Sequence, residues 1–212
     1  MRKPRVLLAD DHTLVAEAFR KLLEPEFDIV GAVTDGRSLL REAPPLKPDV
    51  VVLDIGMPLL NGIDAVKELK KLLPRTKIIV LTMSEDYDIA STALHHWAAG
   101  YLLKKSASGE LVKAIREVLK GNSYVTPQVA QSMLDQFVID PRRDRVKTLT
   151  PRQREVLQLL AEGRAMKEVW AILHITTRTV AFHKYRIMEE FGLKTNSDLV
   201  RFAMKEHVVS LP

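Results

Sequence analysis

The sequence contains no cysteine among its 212 residues, and this absence excludes two kinds of stabilisation. A disulfide framework needs paired cysteines, and thiolate metal sites need them as ligands. A reducing compartment therefore suits this chain better than secretion does.

Long hydrophobic runs are also missing. No stretch of about 18 apolar residues is present, and residues 1–20 lack the continuous apolar segment and small-residue cleavage site of a signal peptide. Hydrophobic residues make up 46% and charged residues 28% of the chain, which is ordinary for a soluble globular protein. We therefore expect a cytoplasmic protein without a membrane segment, and the length favours two domains.

The positive charge is concentrated in the second half of the chain. Residues 1–121 contain 18 Lys and Arg against 17 Asp and Glu, whereas residues 122–212 contain 14 against 10. If either half binds a polyanion such as nucleic acid, this imbalance favours the second.

The first half alternates short apolar runs with helical patterns. The runs are rich in Val, Ile and Leu, and they read RVLLA, FDIVGAV, DVVVLD, KIIVLT and GYLLK. Between them, apolar residues recur at spacings of three and four, as in Leu14, Ala18 and Leu22, and in Ile63, Val66, Leu69 and Leu73. This alternation predicts an α/β fold with a doubly wound, five-stranded parallel sheet that is covered on both faces.

Polar residues follow four of these predicted strands. They are Asp10 and Asp11 after the first strand, Asp54 at the end of the third, Thr82 at the end of the fourth and Lys104 after the fifth. Parallel sheets bind ligands beyond the carboxyl ends of their strands, so we expect the five side chains to converge. Clustered carboxylates repel unless a cation is present, and Mg²⁺ suits such a pocket. One carboxylate then acts as the nucleophile that accepts a phosphoryl group.

Other interpretations of the acids are weaker. Asp10 and Asp11 by themselves would be explained by a loop or by the cap of a helix starting near His12. A phosphatase of the haloacid dehalogenase type needs a second acid two residues after its nucleophile, and Gly56 stands there. Dinucleotide binding needs a glycine-rich turn after the first strand, where this chain has ADDH.

The segments LLADDH, VVVLDIGMPLLNGIDA, IIVLTMS and GYLLKKS together resemble the receiver domain of bacterial two-component response regulators, over residues 4–121. The resemblance implies a flavodoxin-like strand order, 2-1-3-4-5. It also implies that Asp54 accepts phosphate from a sensor histidine kinase. The domain would be a phosphoacceptor that takes part in its own phosphorylation and dephosphorylation, not a free-standing enzyme. A receiver that works without phosphate is the remaining alternative.

The same resemblance assigns roles to the other residues of the pocket. Asp11, Asp54 and the backbone carbonyl of Gly56 would bind Mg²⁺, with Asp10 contributing directly or through water. Thr82 and Lys104 would bind the phosphoryl oxygens. Tyr101 would be the aromatic switch residue whose orientation follows Thr82.

The chain changes character after residue 121. We predict a linker over residues 122–148, with a helix near residues 127–137, and a helical domain over residues 149–212. Within that domain, Thr150, Pro151 and Gln153 form the capping signature of a first helix. Three more helices are predicted at about 166–173, 177–190 and 197–207.

Residues 149–205 resemble the LuxR-type helix-turn-helix domain, so that the whole chain resembles a NarL/FixJ-type response regulator. This implies a partner of double-stranded DNA and a homodimer when phosphorylated. Val180, Ile187 and Phe191 recur on one face of the predicted recognition helix and should pack on the core. The candidate DNA-contact residues are Thr177, Arg178, Thr179, Ala181, Phe182, Lys184, Tyr185 and Arg186. Taken alone, this region would also fit a generic helical bundle with a basic surface.

Two residues depart from the LuxR-type pattern. Trp170 stands where a small residue is usual, so we expect it either to force helices apart or to lie at the surface. His174 stands in the turn where Gly is frequent, which matters if that position has a positive φ.

Overall fold

A six-stranded parallel sheet organises the first part of the protein. In the computed structural model, residues 2–83, 90–91, 93–94, 97–139 and 149–209 are described. The strands are β1 (Arg5–Ala9), β2 (Asp28–Val33), β3 (Val50–Asp54), β4 (Lys77–Thr82), β5 (Gly100–Leu103) and β6 (Tyr124–Val125). Their order is β2-β1-β3-β4-β5-β6, and every neighbouring pair is parallel.

The predicted number of strands was wrong by one. All five predicted strands are present in the predicted order, but β6 extends the sheet beyond β5. The backbone N–H of Tyr124 donates to the carbonyl of Ala99 at 3.1 Å, and that of Thr126 donates to Tyr101 at 3.0 Å. These bonds cover the edge that β5 would otherwise expose.

Helices cover both faces of the sheet. They are α1 (Thr13–Leu23), α2 (Gly36–Leu46), α3 (Gly62–Leu72) and α4 (Ala107–Leu119), followed by α5 (Pro127–Ile139). Residues 90–91 and 93–94 are also helical. On one face, α1 and α4 pack over Leu8 and Val52, whereas on the other face the side chains of Leu7 and of Leu46 in α2 both lie close to Gly31.

The apolar face of α1 differs from the predicted one. Leu14 is 85% exposed and Ala18 is also exposed, whereas Ala16, Phe19 and Leu23 are buried against the sheet. The helix itself was predicted, but its buried stripe was not. For α3, Ile63, Val66 and Leu69 of the predicted set are buried, but Leu73 lies just beyond the end of the helix and is only partly buried.

The second part of the chain is helical, as predicted. Its helices are α6 (Pro151–Ala161), α7 (Met166–Leu173), α8 (Thr177–Glu190) and α9 (Asn196–Lys205). The predicted capping box is present, because the Thr150 side chain accepts from the Gln153 N–H and the Gln153 side chain accepts from the Thr150 N–H. The core includes Leu157, Ile187 and Leu199.

The chain divides into two compact units near residue 143: most residues before it form the sheet unit, and the residues after it belong to the helical unit. Residues 140–148 of the predicted linker lie outside the described part of the chain. None of the helices in the described part combines the length and hydrophobicity that a membrane span requires.

Candidate functional site

Two acids lie side by side at the carboxyl edge of the sheet because their strands are neighbours. Ala9 pairs with Leu53 in the ladder between β1 and β3, so Asp10 and Asp54 follow on adjacent strands. Both are almost completely buried, with exposed fractions of 4% and 6%. Such burial of charged groups is unusual unless they are paired.

Lys104 supplies the pairing charge. Its Nζ lies 2.8 Å from Oδ2 of Asp10 and 2.8 Å from Oδ2 of Asp54. Burial raises the pKa of Asp54, and the charge of Asp10 acts in the same direction, so that the hydrogen bond from Lys104 offsets only part of the effect. Burial alone would lower the pKa of Lys104, but its bonds to the two acids raise that pKa overall. The two acids thus share a single lysine cation.

Asp11 and His12 complete the cluster on its open side. The His12 Nδ1 lies 2.9 Å from Oδ1 of Asp11 and 3.2 Å from Oδ1 of Asp10. One ligand atom from each of Asp10, Asp11, His12 and Asp54 lies within 4.8 Å of the others. Sequence reasoning treated His12 only as the start of a helix; its position directly after two acids was the signal available.

Thr82 and Lys104 are joined through the backbone. The Lys104 N–H donates to the Thr82 carbonyl at 2.8 Å, and Thr82 is 5% exposed. Tyr101, on β5, is completely buried. Thr126, just after β6, holds β5 twice: its N–H donates to the Tyr101 carbonyl, and its Oγ1 accepts from the Leu103 N–H at 3.3 Å. The predicted phosphoryl-binding residues therefore lie at the ends of neighbouring strands that hydrogen bonds join to each other.

The turn after Asp54 brings α3 against the backbone of this acid. A Cβ on Gly62 would lie 2.4 Å from the Asp54 carbonyl oxygen and 2.8 Å from Cα of Ile55, closer than real Cβ atoms approach. The Gly62 N–H donates to the Ile55 carbonyl at 2.9 Å. The backbone N–H of Gly56 also bonds to Asp54. Glycine at position 62 is therefore what allows the helix to begin so close to the acid.

In the helical unit, α8 has one buried and one exposed face. Val180 and Ile187 are completely buried, whereas Phe182 and Tyr185 are 56% and 61% exposed. All eight candidate DNA-contact residues lie on α8 and are exposed or partly exposed: Thr177, Arg178, Thr179, Ala181, Phe182, Lys184, Tyr185 and Arg186. A helix face with cations and large exposed aromatics is typical of a surface that binds a partner.

Two features of this face were not predicted. The Arg186 guanidinium carbon lies 5.9 Å from the centre of the Phe182 ring, and Lys184 Nζ lies 5.8 Å from that of Tyr185. The N-cap of α8 is Thr176, whose Oγ1 accepts from the Thr179 N–H at 3.1 Å and lies 2.8 Å from the Thr179 hydroxyl. Because Thr is a favoured N-cap residue, the run of threonines at this point of the sequence could have predicted the cap.

Trp170 and His174 are both accommodated. Trp170 lies at the surface and is 49% exposed, whereas its helix neighbours Val169 and Leu173 point into the core. His174 ends α7 with φ 52° and ψ 44°, the left-handed conformation in which glycine is favoured. Of the two outcomes expected for Trp170, the surface position is the one observed.

Comparisons with known proteins identify relatives of both units. The family described as response regulator receiver domain matches residues 6–116, and the bacterial regulatory proteins of the luxR family match residues 147–203. The oxygen regulatory protein NreC of Staphylococcus aureus is 33% identical over 214 residues, which cover 97% of this chain and 99% of NreC.

Solved structures are similar over both units as well. The RcsB response regulator of Salmonella typhimurium is 30% identical, with a TM-score of 0.67, over 97% of this chain and 98% of RcsB. A structure of RcsB in complex with DNA is 29% identical, with a TM-score of 0.60, over 95% of this chain and 98% of RcsB.

Proposed function

Because the chain belongs to the NarL/FixJ-type response regulators of two-component systems, we propose that Asp54 is its phosphoacceptor and that phosphorylation controls DNA binding. The observation that supports this proposal most directly is the partly buried Lys104 that Asp10 and Asp54 share. A lysine held 2.8 Å from an acid is placed to neutralise the oxygens of a phosphoryl group attached to that acid.

The proposed reaction is a phosphoryl transfer to a carboxylate. A carboxylate oxygen of Asp54 attacks the phosphorus of a phosphohistidine on a sensor histidine kinase, the P–N bond breaks and an acyl phosphate forms. Thr82 and Lys104 then contact the new phosphoryl oxygens. Asp54 is itself the acceptor in this step and is regenerated when the acyl phosphate is hydrolysed, so the chain is a phosphoacceptor that takes part in its own phosphorylation and dephosphorylation and not a free-standing enzyme.

The acidic cluster fits a divalent cation. Three carboxylates and a single lysine meet there. Burial, and to a smaller extent the charge of Asp10, raises the pKa of Asp54, and a divalent cation would favour the ionised carboxylates. We propose that Asp11, Asp54 and the carbonyl of Gly56 hold Mg²⁺, with Asp10 contributing directly or through water. When bound, the ion would neutralise charge on the transferred phosphoryl group.

Phosphorylation would act on the strands around the pocket. It adds a charge of about −1.5 to −2, which attracts Lys104 and the hydroxyl of Thr82. The Lys104 N–H donates to the Thr82 carbonyl, which supports a switch in which a shift of either residue would displace the ends of β4 and β5 together. Tyr101, on β5, is the proposed aromatic switch, and Thr126 extends the same displacement to the start of α5.

In the helical unit, α8 would enter the major groove of double-stranded DNA. Phe182 is placed for apolar contact with a thymine methyl group, while Lys184 and Arg186 suit phosphate contacts. RcsB has been solved with DNA and as dimers bound to DNA. We propose that this chain likewise dimerises when phosphorylated and binds paired half-sites in the cytoplasm.

The effect of phosphorylation on DNA affinity can be tested with a duplex obtained by selection. A duplex is selected from a random library with full-length protein in Mg²⁺ and acetyl phosphate, and affinities are measured by fluorescence anisotropy. We expect phosphorylation to tighten binding by about tenfold, within the range of allosteric couplings, and Asp54→Asn to abolish this response. We also expect Phe182→Ala to weaken binding of the selected duplex more than of random DNA. An undiminished response in Asp54→Asn would contradict the proposal.

A further inference from the structure

His12 lies within the acidic cluster, although neither the family resemblance nor the sequence pattern assigns it a role. Its ring nitrogen Nδ1 is 2.9 Å from Asp11 and 3.2 Å from Asp10, both through Oδ1 atoms. The His12 backbone N–H also donates to Oδ1 of Asp10 at 2.9 Å. The residue is thus held to the cluster by its backbone and by its side chain.

Lys104 and His12 contact different oxygen atoms of the cluster. Lys104 contacts the Oδ2 atoms of Asp10 and Asp54, whereas His12 contacts the Oδ1 atoms of Asp10 and Asp11. The Lys104 side chain is only 9% exposed, whereas the His12 side chain is 64% exposed. The imidazole therefore lies on the solvent side of the cluster, beside oxygens that Lys104 does not contact.

The donor set is unlike that of a pure magnesium site. Mg²⁺ prefers oxygen ligands and retains several waters, whereas imidazole nitrogen suits the later divalent transition metals such as Co²⁺, Ni²⁺ and Cu²⁺. Three carboxylates and one imidazole nitrogen lie within 4.8 Å of one another. Such a mixed set increases the affinity for transition-metal ions more than the affinity for Mg²⁺.

We infer that His12 is a ligand, through Nδ1, when the cluster holds a divalent transition-metal ion, and that it sets a preference for such ions over Mg²⁺. This inference rests on the proposed cation site but not on the phosphorylation of Asp54. A histidine that only orients the neighbouring carboxylates would support every divalent ion equally. The ratio of the affinities for transition-metal ions and for Mg²⁺ therefore distinguishes a metal ligand from a positioning residue.

The test measures metal binding directly on the full-length chain without a phosphoryl donor. Electron spin-echo envelope modulation of the Cu²⁺-loaded protein reports the remote ¹⁴N of a coordinated imidazole, and calorimetry gives dissociation constants for Mg²⁺ and Co²⁺. The variants are His12→Ala and His12→Asn, the second of which keeps a side chain that caps helices well. Asp11→Asn tests whether the ion lies at the acidic cluster. His183→Ala, in the middle of α8, is the control for loss of an imidazole elsewhere.

We expect the ¹⁴N coupling in the unmodified chain and in His183→Ala, and its loss in both His12 variants. The Co²⁺ affinity should fall by about tenfold in the His12 variants, with a much smaller change for Mg²⁺. No ¹⁴N coupling in the unmodified chain, coupling that persists without His12, or equal losses of affinity for both ions would overturn the inference. Phosphorylation of Asp54 in Mg²⁺ is assayed separately, so its failure would refute the proposed function and leave the metal result standing.

Discussion

The Nζ of Lys104 lies 2.8 Å from Oδ2 of Asp54, at the carboxyl edge of a parallel sheet. The same nitrogen is equally close to Oδ2 of Asp10, so one lysine serves two buried acids. A phosphoryl group on Asp54 would offer Lys104 stronger acceptors than these carboxylates, because it adds charge and further oxygens. The contact that stabilises the unphosphorylated pocket is therefore also the one that phosphorylation would rearrange.

Replacing Lys104 with alanine should destabilise the sheet unit. Removal of one partner leaves the buried acids uncompensated, and we expect the free energy of unfolding to fall by about 3 kcal/mol without Mg²⁺. Added Mg²⁺ should recover part of this loss. Urea denaturation of the full chain with and without Mg²⁺ measures both effects, and Lys105→Ala, at the exposed neighbouring position, is the control. A loss of the same size in both conditions would argue against a cation site.

Gly62→Ala should also destabilise the sheet unit, through backbone contact. Its Cβ would lie 2.4 Å from the Asp54 carbonyl oxygen, so the start of α3 must move away, at a cost of about 2 kcal/mol. Gly109→Ala is the matched control, because nothing lies within 4 Å of its new Cβ and alanine favours the helix by up to about 1 kcal/mol. Thermal denaturation should therefore move in opposite directions for the two variants. Equal shifts in melting temperature would mean that the start of α3 moves away from Asp54 without a loss of stability.

The positions of the acids could be predicted from sequence because parallel strands end at one edge. Buried parallel strands give continuous apolar runs, so Asp10 and Asp54 could be placed at the ends of neighbouring strands. The orientation of His12 could not be predicted in this way. Whether its ring turns toward Asp11 or toward solvent depends on the fold around the start of α1, which residue spacing does not encode.

His174→Gly should stabilise the helical unit. The left-handed conformation costs about 1 kcal/mol or more for a residue with a Cβ, and glycine removes this cost. Part of the resulting gain in stability is offset because glycine makes the unfolded chain more flexible. We expect a net increase of about 0.5 kcal/mol in the free energy of unfolding. The converse substitution is Gly163→Ala, where φ is 84°, and it should decrease stability. Urea unfolding followed by circular dichroism compares the two, and a destabilised His174→Gly would show that the imidazole itself contributes.

The stability of the helical unit should depend on pH through Asp198. Hydrogen bonds from the Thr195 side chain and then from Arg201 lower the pKa of Asp198 from 3.8 to about 2. A pKa that is lower in the folded state means that the stabilisation is complete above about pH 4 and is lost as the pH falls toward 2. Asp198→Asn should therefore be less stable than the unmodified chain at pH 6, with a difference that narrows at pH 3.

Urea unfolding at several pH values between 6 and 3 checks this dependence. Glu189→Gln, which neutralises an exposed acid on α8, is the control for a change of charge alone. A stability difference between Asp198→Asn and the unmodified chain that stays constant over this range would assign the effect to the hydrogen bonds of the helix cap and not to ionisation.

Two errors in the predicted fold have physical causes. β6 is only two residues long, so it carries no periodic pattern, and its pairing with β5 is a contact between distant parts of the chain. In α1, apolar residues occupy more than one stripe of the helix, and the spacing of Leu14 and Ala18 fits a helix as well as that of Phe19 and Leu23 does. Packing on the sheet selects the stripe, and that choice is made by tertiary structure.

We propose that Asp54 accepts a phosphoryl group in a pocket completed by Lys104. The decisive experiment is incubation of the full chain with acetyl phosphate and Mg²⁺, followed by intact-mass measurement and peptide mapping. We expect one phosphoryl group, located on Asp54 and missing from Asp54→Asn. A chain that acquires no phosphoryl group, or an Asp54→Asn variant that still acquires one, would refute this role of Asp54.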